Sequence, residues 1–110
     1  MKQKEIWYVN LNPTKGSEQS GFRPIVIISG NMLNTYLKVV LACPLSSEIK
    51  NYKGNVVLSP SKENGLKASL EIMIFHIQSI SKERLVKKIG EITDEELYEL
   101  KEGLDDILRY

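Results

Sequence analysis

Short apolar segments separated by polar turns make up most of the hydrophobic pattern of this chain. Two of them, residues 24–29 and 38–43, are mostly apolar and rich in β-branched side chains, which is typical of strands buried on both faces. The other short segments alternate or lie between turn signals, so they also predict strands. In all, strands are predicted over residues 6–10, 24–29, 38–43, 55–58, 71–79 and 85–89, with a short helix or turn at 30–36 and a tight turn at 81–84.

The last part of the chain changes to a helical period, which predicts a helix over residues 94–108. Thr93 can cap this helix, because Glu96 follows three residues later and completes a capping box. Short strands followed by one helix predict a mainly β protein, a small and strongly curved barrel or half-barrel with one C-terminal α-helix. The apolar stripe of the helix, which we expect to pack within the chain or across a dimer, consists of Leu97, Leu100, Leu104, Ile107 and Leu108.

The length of 110 residues and an ordinary composition, 42% hydrophobic and 26% charged, indicate one domain spanning residues 1–110. No apolar run approaches the roughly 20 residues of a membrane span, and the amino terminus lacks a signal-peptide core, so no membrane partner is expected. Cys43 is the only cysteine, which excludes an internal disulfide and fits a cytoplasmic location. The net charge of +1 neither requires nor excludes a nucleic-acid partner.

A polar, glycine-bounded loop at residues 16–24 ends in one arginine at the mouth of an apolar strand. Pro24 restricts its own φ and biases Arg23 towards extended geometry, so the arginine backbone is fixed while its head is free. A guanidinium in this position is well suited to grip a phosphate. A second polar strand end carries Ser46 and Ser47. If the two strands are neighbours, the Arg23 guanidinium and the Ser46 hydroxyl face one cleft and can bind one phosphate together.

The common catalytic signatures are absent from the sequence. It has no glycine-rich nucleotide loop, no G-x-S-x-G elbow and no zinc-binding helix motif. His76 is the only histidine, which excludes a two-histidine ribonuclease site within one chain. The candidates that remain for the chemistry are Arg23 and the polar strand end that carries Ser46.

Motifs in order along nearly the whole chain resemble those of the MazF/PemK-type endoribonuclease toxins of bacterial toxin–antitoxin systems. The most specific motif is the loop at residues 16–24, which has nearly the commonest form of this family. Residues 6–13 resemble the opening strand of the family, and residues 43–47 match its Ala-Pro-(Ile/Leu)-Thr-Ser strand end. The resemblance implies a small SH3-like barrel with a C-terminal helix, in agreement with the hydrophobic pattern. Weaker motifs follow at the expected offsets at residues 64–67, 77–80, 82–85 and 88–90.

The resemblance also implies an activity and partners. Members are homodimers that cut single-stranded RNA, with mRNA the expected class here, at short sequences and without a metal ion. The resemblance therefore implies neither a metal site nor a cofactor. The ribose 2′-hydroxyl is thought to attack the neighbouring phosphate, which leaves a 2′,3′-cyclic phosphate and a 5′-hydroxyl. The functional arginine of the family corresponds to Arg23, and its functional threonine corresponds to Ser46, which keeps the hydroxyl but loses a methyl. The expected inhibitor is a cognate antitoxin, typically a disordered acidic segment.

Several further side chains are candidates for the site. His76 stands where the family often has glutamine, and Phe75 where it often has glutamate. Histidine suits proton transfer near neutral pH, yet the apolar neighbours of His76 favour a partly buried core histidine. Ser47 is a candidate for the reaction or for substrate binding, and Trp7 is more typical of a core or interface than of a base-stacking platform. Candidate RNA contacts, each with ordinary surface solubility as the alternative, are Glu18, Gln19, Ser20, Lys50, Lys53, Lys62 and Lys67.

Two other functions stay open at this stage. The related CcdB proteins bind and poison DNA gyrase without catalysis, and a degenerate relative could serve only as a dimeric binding module. The degenerate relative is compatible with two departures from the family, Ser46 in place of threonine and Phe75 in place of glutamate. Arg23 could also be an ordinary surface arginine paired with Glu18. The intact loop at residues 16–24 favours the endoribonuclease.

Overall fold

A curled antiparallel sheet and a C-terminal helix make up the computed structural model, which describes residues 1–11 and 21–110. Two single-turn 3₁₀ helices, Ile74–His76 and Lys82–Arg84, interrupt the strands. The other elements, in chain order, are β1 (Glu5–Asn10), β2 (Phe22–Ile27), α1 (Asn31–Tyr36), β3 (Val39–Ser46), β4 (Val56–Leu58), β5 (Leu70–Ile72), β6 (Gln78–Ser81), β7 (Leu85–Glu91) and α2 (Asp94–Arg109).

The central strand of the sheet is β3, which has different partners along its length. The strand order is β4-β5-β3-β2-β1-β7, and all of these neighbours are antiparallel. On the edge of β3 opposite β2, residues 45–46 pair with β5 and residues 39–42 pair with β6. The sheet curls around these two branches into a half-barrel. This confirms the predicted mainly β fold with one C-terminal helix.

Two clusters of apolar side chains lie on opposite faces of the sheet. Successive side chains of a strand point to opposite faces, so β2 contributes Val26 to one cluster and Ile25 and Ile27 to the other. The first cluster includes Leu97 and Leu100 and fills the space between the sheet and α2. Each large aliphatic side chain that is fully buried in this way stabilises the fold by about 1.5–3 kcal/mol. The predicted burial of β2 on both faces is confirmed.

The helix α2 begins with the predicted capping box. The Glu96 N–H donates to Thr93 Oγ1 at 3.0 Å, and the Thr93 N–H donates to Glu96 Oε1 at 2.8 Å. Further along, Gly103 allows a close approach, because a Cβ there would lie 2.3 Å from the Gly54 carbonyl oxygen and 2.6 Å from Ile74 Cδ1. Neither α2 nor the six-residue α1 has the length and apolar character of a membrane span.

The predicted strand at residues 71–79 is wrong, because the chain forms β5, a 3₁₀ turn and β6 there. The Met73 N–H donates to the Pro44 carbonyl at 2.9 Å, and Met73 then leaves strand geometry with a ψ of 84°. Ile74 is buried beside α2, and pairing with β3 resumes only in β6. The predicted end of β3 at residue 43 is also too early, because this strand continues to Ser46. The described residues therefore form seven strands rather than the predicted six.

Candidate active site

Arg23 and Ser46 lie at matching positions on two neighbouring antiparallel strands. Ile25 of β2 pairs with Pro44 of β3. Arg23 and Ser46 each lie two residues beyond this pair, towards the same end of the sheet. The continued register places them opposite each other on one face. We call Arg23 and Ser46 the strand wall.

The strand wall lines an open cleft with a volume of about 680 Å³. All four residues considered for the reaction line this cleft, since Ser47 and His76 join Arg23 and Ser46 there. Gln78 adds an amide to the lining. The structure therefore brings together side chains from β2, from the end of β3 and from the turn before β6.

The guanidinium of Arg23 is exposed at the end of β2. Its Nη1 donates to the Phe22 carbonyl oxygen at 3.0 Å. Within residues 1–11 and 21–110, no carboxylate lies at ion-pair distance from it. A guanidinium has five N–H donors, so with respect to the described residues most of them are available to bind an anion such as a phosphate. The alternative pairing with Glu18 falls on a residue outside the described part of the chain.

The hydroxyl of Ser46 is held by the backbone that follows it. Its Oγ accepts a hydrogen bond from the Glu48 N–H at 3.1 Å. Among the described residues, the nearest acceptor for its proton is the Glu48 carbonyl oxygen. The two oxygens are 3.5 Å apart, a distance that is too long for a strong hydrogen bond. The oxygen is therefore positioned while its proton can be donated to a ligand.

The prediction of a partly buried core histidine is wrong, because His76 is exposed. It is the last residue of the 3₁₀ turn Ile74–His76, where the chain has left the strand that its apolar neighbours predict. Its ring lies 4.7 Å from the Phe75 ring, centroid to centroid, at an interplanar angle of 45°. Because the turn brings it to the cleft, His76 can reach a ligand there.

The candidate RNA-contacting residues are placed differently from one another. Lys50 is exposed and lines a smaller pocket that adjoins the cleft. Lys67 lines a separate groove beside Tyr8. Lys53 and Lys62 are exposed and do not line the cleft. The other three candidates, Glu18, Gln19 and Ser20, lie outside the described residues.

Trp7 is part of the core, as the sequence predicts. Its side chain is half-buried and packs against the apolar cluster that contains Ile25 and Ile27. Its Nε1–H donates to Glu5 Oε1 at 2.9 Å. The interpretation of Trp7 as a core residue is therefore confirmed.

Glu71 is a residue of the site region that sequence reasoning missed. It is fully buried on β5 and pairs in register with Ser46. Its Oε1 accepts the Lys50 N–H at 2.9 Å. Its Oε2 accepts the Tyr52 N–H at 3.0 Å and the Asn55 side-chain amide at 3.3 Å. One carboxylate thus fastens the loop between β3 and β4 to the strand beside the cleft.

The environment of Glu71 favours its ionised form. Burial alone would raise the pKa of its carboxyl, but the N–H groups of Lys50, Asn51 and Tyr52 and the Asn55 amide hold that pKa below its ordinary value of 4.5. The sequence signal for this role is an acidic residue between apolar neighbours in a predicted strand, where unpaired charge is rare.

Two other kinds of chemistry find no support in the described residues. Cys43 is fully buried, and burial raises the pKa of its thiol to about 12, so it is not a nucleophile near neutral pH. Across residues 1–11 and 21–110, no three histidine, cysteine or acidic side chains gather where they could hold a metal ion.

Comparisons with known proteins relate this chain to one family. The family model of the PemK-like, MazF-like toxins of type II toxin–antitoxin systems matches residues 2–108. The endoribonuclease MazF9 of Mycobacterium tuberculosis is 36% identical over 110 residues, covering 94% of this chain and 92% of that protein.

Solved structures show the same architecture. MazF from Deinococcus radiodurans superposes with a TM-score of 0.79 at 25% identity, covering 100% of this chain and 97% of that chain. An endoribonuclease from a mycobacterial species, solved in complex with its cognate antitoxin, superposes with a TM-score of 0.81 at 19% identity. The match covers 98% of this chain and 94% of that chain, and at this identity it shows the fold alone.

Proposed function

The chain belongs to the family of PemK-like, MazF-like toxins of type II toxin–antitoxin systems, and we propose that it is an endoribonuclease that cuts single-stranded RNA at short sequences without a metal ion. The observation that carries the proposal is the convergence of Arg23 and Ser46 on one cleft. A guanidinium and a hydroxyl in this arrangement suit one phosphodiester. We further propose that the substrate is mRNA and that the protein acts in the cytoplasm.

In the proposed reaction, the ribose 2′-oxygen bonds to the adjacent phosphorus while the bond from phosphorus to the next 5′-oxygen breaks. The products are a 2′,3′-cyclic phosphate and a 5′-hydroxyl. Negative charge grows on the non-bridging oxygens, where the Arg23 guanidinium and the Ser46 hydroxyl donate hydrogen bonds. One preorganised donor of this kind contributes about 10²–10³ in rate.

The reaction also moves two protons. A guanidinium stays protonated at neutral pH and is a poor base, so we assign Arg23 to charge stabilisation. We assign acceptance of the 2′-hydroxyl proton to His76, which is exposed in the same cleft. Water in the open cleft supplies the proton for the 5′-oxygen. We expect His76→Gln to lower kcat for RNA cleavage and to change the pH–rate profile, and an unchanged profile would remove His76 from the mechanism.

The remaining substrate contacts follow from the same cleft. We propose that Ser47, exposed beside Ser46, donates to the substrate and that Lys50 contacts its backbone. Lys53 stays a candidate for a more distant phosphate. Contacts through the residues at 18–20 stay predictions from the sequence.

We propose two protein partners, a second copy of the chain and a cognate antitoxin. Exposed apolar side chains one turn apart on α1 support the homodimer, since contiguous exposed apolar surface marks interaction sites. Met32 and Tyr36 on α1 are 78% and 80% exposed, and Leu108 at the end of the α2 stripe is 85% exposed. Light scattering of the purified protein, alone and with the antitoxin, would measure both assemblies.

A digestion experiment tests the proposed activity. The purified protein is incubated with a long single-stranded RNA in a chelator, and the fragment ends are sequenced and analysed chemically. We expect discrete fragments with 5′-hydroxyl and 2′,3′-cyclic phosphate ends. An Arg23→Ala protein purified in parallel controls for contaminating ribonuclease. Intact RNA would overturn the proposal. Growth arrest of cells that make the protein, without RNA decay, would then favour a gyrase-binding toxin of the same fold.

A further inference from the structure

A second, smaller pocket adjoins the cleft on the side of Ser46. Its volume is about 240 Å³. Ser46 and His76 line both cavities, so the two are continuous and one extended ligand can occupy both. Met73 forms part of the lining, and Tyr52 and Phe75 supply aromatic rings. We call Tyr52 and Phe75 the loop wall.

The rings of the loop wall are held close together but are open to solvent. The Tyr52 and Phe75 centroids lie 5.7 Å apart at an interplanar angle of 70°, which is an edge-to-face arrangement. Phe75 is 47% exposed and Tyr52 is 45% exposed, so neither ring is buried in the apolar core. Exposed aromatic faces beside a polar cleft are what unstacked bases of single-stranded RNA bind.

The backbone under these rings is fixed by buried polar contacts. Asn51 has a positive φ of 54°, and the N–H groups on either side of it wrap the buried Glu71 carboxylate as a backbone nest. The Asn55 side chain bonds Glu71 with its amide nitrogen and accepts the Ile74 N–H at 3.2 Å with its oxygen. One network therefore holds the segment with Tyr52 and the turn that carries Phe75.

We propose that this pocket binds one unstacked nucleobase of the RNA substrate, next to the phosphate that the strand wall holds. This inference rests on the proposed function for the identity of its ligand. Three observations support a base as the occupant: the rings are about half exposed, the pocket is small, and it is continuous with the phosphate cleft through Ser46 and His76. Glu48 and Lys50 at the same pocket can pair with the polar edge of a base.

A pair of variants at Phe75 tests the pocket through cleavage. Phe75→Leu removes the ring and keeps an apolar side chain, whereas Phe75→Tyr keeps the ring. We expect Phe75→Leu to lower kcat/KM roughly 5- to 100-fold and to broaden the base preference at one position beside the cut. Phe75→Tyr should retain more of this activity than Phe75→Leu does, and Tyr98→Leu, which removes an exposed ring on α2, should cleave like the wild type. Wild-type rates and cut sites in Phe75→Leu would overturn the proposal.

A binding measurement separates the pocket from the catalytic activity. The probe is a single-stranded 2′-O-methyl RNA, about 8 nucleotides long, with 2-aminopurine in an otherwise random sequence. Stacking on a ring quenches 2-aminopurine, so we expect quenching by the wild type that Phe75→Leu and Tyr52→Leu lose. Quenching without any RNA cleavage would support the pocket while the endoribonuclease proposal fails. Cleavage with no quenching would overturn the pocket alone.

The competing occupant is an apolar side chain of a protein partner. Phe75→Leu and Tyr52→Leu would then weaken binding of the cognate antitoxin while RNA cleavage, cut sites and probe quenching stay unchanged. That combination would overturn the nucleobase proposal. Thermal unfolding of each variant confirms that the comparison is made between folded proteins.

Discussion

The strand wall lines the cleft and the loop wall lines the smaller pocket beside it, and the two are positioned by different physical means. Arg23 and Ser46 are set by the register of β2 and β3, which backbone hydrogen bonds fix. Tyr52 and Phe75 lie in irregular segments that one buried carboxylate, Glu71, ties together through N–H groups and Asn55. The first arrangement is a property of the sheet, and the second depends on a single side chain and its charge.

This difference matches a division of labour in the proposed reaction. The phosphodiester is the same in every nucleotide, so side chains that act on it belong on the rigid strand ends. Bases differ, so the side chains that meet them can vary without disturbing the sheet. Damage to the strand wall should therefore remove cleavage, whereas damage to the loop wall should change which sequences are cut.

Loss of Arg23 should have the largest effect. Arg23→Ala removes the charged donor of the strand wall, and we expect kcat for cleavage of a labelled RNA to fall about 10²–10³-fold. Arg23→Lys keeps the charge without the planar fork and should recover only part of the rate. Arg109→Ala, which removes an exposed arginine paired with Asp105 on α2, is the control and should cleave normally. Wild-type cleavage by Arg23→Ala would remove the strand wall from the reaction.

The next largest effect is expected at the anchor of the loop wall. Glu71→Gln sets an amide NH₂ against backbone N–H donors, so we expect the free energy of unfolding to fall by about 1–3 kcal/mol at pH 7. Urea unfolding measures this loss. Glu99→Gln, an exposed change on α2, is the matched control and should unfold like the wild type.

The pH dependence of the Glu71→Gln effect has a defined sign. The pKa of Glu71 is lower in the folded protein than its ordinary value of 4.5, so the ionised carboxylate stabilises the fold fully above pH 4.5. This stabilisation is lost as the pH falls through the lower, folded pKa. The difference between wild type and Glu71→Gln should therefore be constant at neutral pH and shrink below pH 4.5. A difference that grows on acidification would contradict the assigned direction.

The two walls also differ in how well the sequence predicts them. Pro24 and the apolar segment after it predict β2, and the polar end of β3 predicts that Ser46 meets Arg23 if the two strands are neighbours, which they are. The apolar pattern at residues 71–79 instead predicts one strand and a core histidine. The structure departs from it because Ile74 packs beside α2 and Glu71 bonds groups 16 to 21 residues away. Such distant contacts leave no periodic signal.

Contact between α2 and the segments that carry the loop wall provides a smaller test. Gly103→Ala would place a Cβ 2.3 Å from the Gly54 carbonyl oxygen and 2.6 Å from Ile74 Cδ1. Overpacking costs about 1–3 kcal/mol, and alanine returns about 1 kcal/mol of helix propensity, so we expect a net loss of about 1 kcal/mol in urea unfolding. Glu102→Ala, at the exposed neighbouring position, should leave stability nearly unchanged. A gain in stability from Gly103→Ala would mean that the close approach is not maintained.

The smallest effect is expected from Ser46→Thr, which restores the methyl that the family's threonine has. Threonine is stiffer than serine about χ1, so a serine hydroxyl that sampled several rotamers would gain from the change. The Glu48 N–H, however, already holds the Ser46 oxygen at 3.1 Å, and a threonine oxygen can accept the same bond. We therefore expect kcat/KM for RNA cleavage to change by less than about threefold, while Ser46→Ala loses about tenfold or more. An increase above about tenfold in Ser46→Thr would show that rotamer freedom limits this site, and that the Glu48 hydrogen bond does not fix the strand wall as the geometry indicates.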